Sequence, residues 1–119
     1  MESVYDLFKR GTALLEGGDF HAATVPLARA RDLDPGKTSI REALGRALFH
    51  CQRYEAAAAE FEAVVERAPT NDFALFCLGR SLQLLGRHRE ARHPLALAAQ
   101  MRPDRRDYRE YRDRNRRAA

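Results

Sequence analysis

A step of 34 residues runs through the chain and limits what it can fold into. Pro35, Pro69 and Pro103 are separated by that step twice over, as are Gly11, Gly45 and Gly79, and Ala23, Ala57 and Ala91. Leu14, Leu48 and Leu82 keep it too, as do Leu27, Phe61 and Leu95, and Ala30, Val64 and Ala98. Columns that stay in register across three copies indicate one small structural unit used three times. Such a unit is too short to bury its own apolar face, so each copy must lean on its neighbours, and three copies are about the minimum that enclose a core.

Within a copy the spacing is helical. In "VYDLFKRGTALLEGG", Leu7, Gly11 and Leu14 fall at i, i+4 and i+7, one face of a 3.6-residue helix. Gly17 and Gly18 supply a stop, and Asp19 is placed to cap a second helix. That helix, "FHAATVPLARARDL", sets Ala23, Leu27 and Ala30 along one face until Pro35 ends it. Small residues at Gly11 and Ala23 suit a point where two helices cross closely. No stretch alternates with period two, so no sheet is expected. Pro26 and Pro94 share a column in which the middle copy has Glu60. Each removes a helical hydrogen bond, which predicts a bend in the second helices of copies one and three but not two.

With these columns in place the chain resembles the tetratricopeptide repeat family. That family repeats W-x2-L-G-x2-Y, A-x3-F and P every 34 residues. The first copy matches through Leu7, Gly11, Leu14, Ala23, Leu27 and Pro35, and the second through Leu44, Gly45, Leu48, Ala57, Phe61 and Pro69. The third matches through Leu75, Leu78, Gly79, Leu82, Ala91, Leu95 and Pro103. Arg10 replaces the usual Leu in copy one. Arg41 takes the first large position of copy two, where its stem is expected to lie along the neighbouring helix. The resemblance implies a single all-α domain over 1–119, a right-handed solenoid of three helix-turn-helix units at 4–37, 38–71 and 72–105, with a seventh, capping helix at 104–118.

Composition agrees with a single folded domain of 119 residues, 45% hydrophobic and 32% charged. No apolar run approaches the roughly 18 residues of a membrane span, and the first residues lack an export signal. Cys51 and Cys77, without CxxC spacing, are expected to be reduced, which points to the cytoplasm. An excess of Arg over Lys suits a GC-rich bacterial genome. The net charge of +4 is mostly local, since 104–119 holds seven Arg against four acids. This segment offers the helical pairs Glu110→Arg114 and Asp113→Arg117, and its Tyr108 and Tyr111 are expected to lie against Leu95 and Met101 as a cap. Nucleic-acid contact by the same arginines is the rival reading, disfavoured by the interleaved acids.

No catalytic or metal-binding pattern emerges. Gly36-Lys37-Thr38 ends like a phosphate-binding loop, but the first glycine of that motif would fall at Arg31, and a helix rather than a strand precedes it. The triplet is therefore a turn, with Thr38 or Ser39 near the next N-cap. His21, His50, His88 and His93 have no metal-ligand spacing. Glu60 and Glu62 read as part of a solvated face. The expectation is a protein that is not an enzyme and uses no cofactor and no metal.

In proteins of the resembled family the first helix of each repeat lines the concave side and holds peptides. Here those faces carry Tyr5, Phe8, Thr12 and Leu15, then Ser39, Glu42, Arg46 and Phe49, then Phe73, Phe76, Arg80 and Gln83. Aromatics and arginines are the residue types that carry interface energy. The set Tyr5, Phe8, Thr12, Glu42, Arg46, Phe49, Phe73, Phe76, Arg80 and Gln83 is therefore the expected peptide-binding surface. It suits an apolar or aromatic peptide with an acidic group for Arg46 and Arg80. Packing of some of these rings within the repeats, and self-association into a homodimer, are the alternatives. Some family members clamp a chaperone carboxylate with Lys, Asn and Arg at positions that correspond to Phe8, Thr12, Ala43, Phe73 and Cys77. None match, so that ligand is not expected.

Overall fold

The computed structural model describes residues 2–118 and is all helical among them. The helices are α1 (Val4–Glu16), α2 (Phe20–Leu33), α3 (Thr38–His50), α4 (Tyr54–Arg67), α5 (Asp72–Leu84), α6 (His88–Met101) and α7 (Arg106–Ala118). The starts of α1, α3, α5 and α7 keep the 34-residue step, as do those of α2, α4 and α6. Each helix packs on its sequence neighbours, and the odd-numbered helices also touch one another in succession. The result is an elongated stack of 49 × 24 × 22 Å.

The glycine column sets how closely the paired helices cross. A Cβ on Gly11 would lie 2.5 Å from Leu27 Cγ, one on Gly79 2.5 Å from Leu95 Cγ, and one on Gly45 2.9 Å from the tip of the Phe61 ring. Leu27, Phe61 and Leu95, the column paired with these glycines, are fully buried in the central core. Pro26 and Pro94 are buried within α2 and α6.

Several expectations are corrected. Leu15, assigned to the open face, is buried in the core. Thr38 does stand next to the N-cap of α3 as expected, the N-cap itself being Lys37 with no side-chain capping bond. Glu60 does not lie on a solvated face: it is 5% exposed and bonds Arg31 at 2.6 Å and Arg41 at 2.9 Å. Arg41 thus does more than lay its stem along a neighbour. It carries its charge to Glu60 and donates to the Pro35 carbonyl at 2.8 Å. In copies one and three the columns of Arg41 and Glu60 hold Leu and Pro; copy two puts complementary charges in place of these apolar residues, joining α2, α3 and α4.

Helix α7 caps the stack, its Tyr108 and Tyr111 joining the clusters that hold Met101 and Leu95. Tyr108 is fully buried with Leu75, Ala98 and Ala99, with Met101 at the edge, and stacks on Phe76 at 4.4 Å. Its hydroxyl donates to Asp72 at 2.8 Å. Burial, aided by that bond, pushes the phenol above the ordinary tyrosine range. At the far end Asn115, 1% exposed, donates to the His88 carbonyl and meets His88 Nδ1 at 3.1 Å. The ion pairs on α7 are Arg106–Glu110, Arg112–Asp113 and Arg116–Asp113, in place of the expected Glu110→Arg114 and Asp113→Arg117.

Candidate functional site

The odd-numbered helices line up along one side of the stack, and a pocket of about 270 Å³ opens where α3, α5 and α7 meet. Helix α3 contributes Arg46 and Phe49; α5 contributes Phe73, Phe76, Cys77 and Arg80; α7 contributes Asp107 and Tyr111. Phe61 of α4 and His50 complete the lining. The helical period explains the convergence. Positions three and four apart share a face, so Arg46 and Phe49, or Phe73, Phe76 and Arg80, project together.

Five of the residues expected from the sequence therefore meet here: Arg46, Phe49, Phe73, Phe76 and Arg80. The other five lie outside it. Tyr5 is 68% exposed on α1. Phe8 is half-buried against the core, and Thr12 turns its hydroxyl back to the Phe8 carbonyl at 2.9 Å. Glu42 accepts from Asn71, the residue that caps α5. Gln83 accepts from Arg80 at 2.7 Å and donates to the Tyr111 carbonyl at 3.2 Å, tying α5 to α7. Sequence reasoning missed Tyr111, Asp107, Cys77, His50 and Phe61 as lining residues. A signal was present for Tyr111: its column reads Lys9, Ala43, Cys77, Tyr111, and only α7 places an aromatic ring there.

The pocket lining carries Arg46 and Arg80 against one acid, Asp107. Arg80 lies 3.9 Å over the Tyr111 ring, and Arg114 sits 4.8 Å from the same ring. Burial lowers the Arg80 pKa, though not enough to remove its charge at neutral pH. Arg46, Arg80 and Arg114 make no ion pair with a carboxylate among the described residues. Asp107 is already held by Arg105 at 2.8 Å, which keeps its carboxyl below the usual range. Burial, and then the charge of Glu42, push the Cys77 thiol up to about 12. The thiol is therefore neutral, an apolar surface rather than a nucleophile.

Residues 14–76, more than half of the chain, match the tetratricopeptide repeat family. The chain belongs to that family. Among solved structures it superposes on one described as "MamA RS-1 ArsTM double mutant" with a TM-score of 0.91, at 22% identity, over 95% of this chain and 64% of the other. The first TPR of Spaghetti (RPAP3), bound to the HSP90 peptide SRMEEVD, superposes with a TM-score of 0.88 at 16% identity, covering 97% and 91%. YrrB, described as a TPR protein with an unusual peptide-binding site, gives 0.87 at 24% identity, covering 95% and 58%. These likenesses establish the fold, and the chain spans less than two thirds of the MamA structure's length. No curated protein matches the chain. No described helix is long and apolar enough to cross a membrane.

Proposed function

We propose that this tetratricopeptide repeat chain is a non-enzymatic protein-interaction module that holds a peptide, or an extended segment of a partner protein, against its first helices. One observation carries the reading. An aromatic pocket sits beside guanidinium groups that have no carboxylate partner among the described residues. Apolar walls supply desolvation energy, and a charge left without an internal partner is open to a ligand that brings one. Two similar folds, RPAP3 and YrrB, are described as peptide-bound or peptide-binding, which supports the class of ligand. The acids on α7 neutralise much of the field that phosphates would respond to, so that helix is not read as a nucleic-acid surface.

The test is selection of displayed random peptides on the purified chain, followed by affinity measurement on Phe73→Ala and Arg46→Glu, with circular dichroism as the check of folding. The expected result is a family of peptides that combine a bulky apolar residue with an acid, each weakened about tenfold by either change. Equal binding to both folded variants, or no selected peptides at all, refutes the reading.

A further inference from the structure

The cap stands in the pocket it closes. Tyr108 already supplies what a cap needs: it is fully buried, stacks on Phe76 and bonds Asp72. Tyr111, one turn on, is only half-buried and contributes to the pocket lining, 5.8 Å from Phe76 between ring centres. In the three preceding first helices its column holds Lys9, Ala43 and Cys77, so α7 alone places an aromatic ring there. Arg80 and Arg114 both approach the tyrosine ring. Cation–π contacts of this kind fix a ring's orientation at low cost.

We propose that Tyr111 is a specificity-determining residue of the groove, so that α7 selects the ligand as well as ending the stack. This rests on the peptide-binding reading above. The ligand is a peptide whose single bulky apolar side chain enters between Phe73 and the Tyr111 ring. An acidic residue beside it meets Arg46, the cation with neither a hydrogen bond nor a ring contact among the described residues. Charge complementarity commits the occupant to an acidic peptide, because Arg46 and Arg80 line the pocket without a carboxylate partner among the described residues, while the lining acid Asp107 is already paired with Arg105. Tyr111 acts through shape: its ring sets the width of the slot, and thereby which side chain fits.

The experiment repeats the peptide selection on Tyr111→Leu beside the wild-type chain and Phe73→Ala. Peptides selected by the wild type are expected to bind Tyr111→Leu about tenfold more weakly. Tyr111→Leu is also expected to select peptides with a different apolar residue, while the requirement for an acid persists. A structural role alone would lower the melting temperature without changing what is selected. If Tyr111→Leu selects the same peptides with the same affinity while Phe73→Ala loses them, the groove stands and the role of Tyr111 falls. If Phe73→Ala also leaves binding unchanged, the groove reading fails with it. Should Tyr111→Leu not fold, a photoreactive group at the apolar position of a selected peptide is cross-linked to the wild-type chain. Attachment within α7 supports the proposal, and attachment confined to α1–α4 overturns it.

Discussion

Gln52 adopts a φ of +62°, in the left-handed region, while Gly18 and Gly86, the residues one repeat before and after it, have φ of +85° and +79°. The turn between paired helices thus needs this conformation at every step, and the middle repeat meets it with a side chain that disfavours it. Gln52→Gly is expected to raise stability by up to about 1 kcal/mol, less what the glycine's greater freedom in the unfolded chain takes back. The midpoint of urea unfolding measures it, and an unchanged or lower midpoint refutes the argument. Glu60 is the second residue at which copy two departs from the others. It bonds two arginines with side chains 29% and 20% exposed, so removing its charge leaves both without their shared counter-ion. Glu60→Gln is expected to cost about 3 kcal/mol, in line with breaking a buried pair from one side. Arg41→Leu with Glu60→Leu is expected to recover most of that, since apolar residues occupy both columns in copies one and three and Arg31 still holds Asp32. A double variant as weak as the single one would show that the triad does more than fill space.

At the scale of an element, α7 offers a titration. The folded chain keeps the Tyr108 phenol protonated above its ordinary range, while an unfolded tyrosine ionises near pH 10. The folded-state pKa is raised, so the stabilisation is whole below about pH 10 and is lost as pH climbs beyond it. The decline is at most about 1.4 kcal/mol per pH unit from this group. Tyr108→Phe removes that slope and, at neutral pH, costs about 1–2 kcal/mol by leaving Asp72 without its donor. Urea midpoints for both chains at pH 7, 9 and 11 decide it, and parallel curves would be the contrary result. The elements themselves were legible because a fixed period places every helix, and α7 follows the same step. What stayed hidden was which departures belong together. Arg41 and Glu60 are anomalies in separate columns, and only the packing of α2, α3 and α4 makes them a pair. Leu15 follows the face of Tyr5 and Thr12 by spacing, yet the neighbouring helices close over it. The lining by Tyr111 depends on how α7 docks, which column spacing does not determine, although a ring in a column otherwise made of Lys9, Ala43 and Cys77 marked the place.

For the whole molecule, a stack in which helices meet only near neighbours behaves as a one-dimensional chain of units and interfaces. Removing α7 by ending the chain after Arg105 tests how far such coupling reaches. The cut uncovers Leu75, Phe76, Ala98 and Ala99, which Tyr108 now covers, and frees the His88 end of α6 from Asn115. Loss of one large buried aromatic costs about 3–5 kcal/mol, against the 5–15 kcal/mol that typically holds a domain together. The shortened chain is therefore expected to stay folded with a lower melting temperature. If energy passes only from neighbour to neighbour, amide exchange should quicken most in α6, then α5, and leave α1 and α2 almost unchanged. An equal rise in all six helices would mean that they unfold as one unit, and the damage at one end would then be shared by the whole stack. The central position of Phe61, fully buried beneath α3, makes the first outcome the expected one. The interface there is untouched by the cut, and opening α1 and α2 requires breaking it.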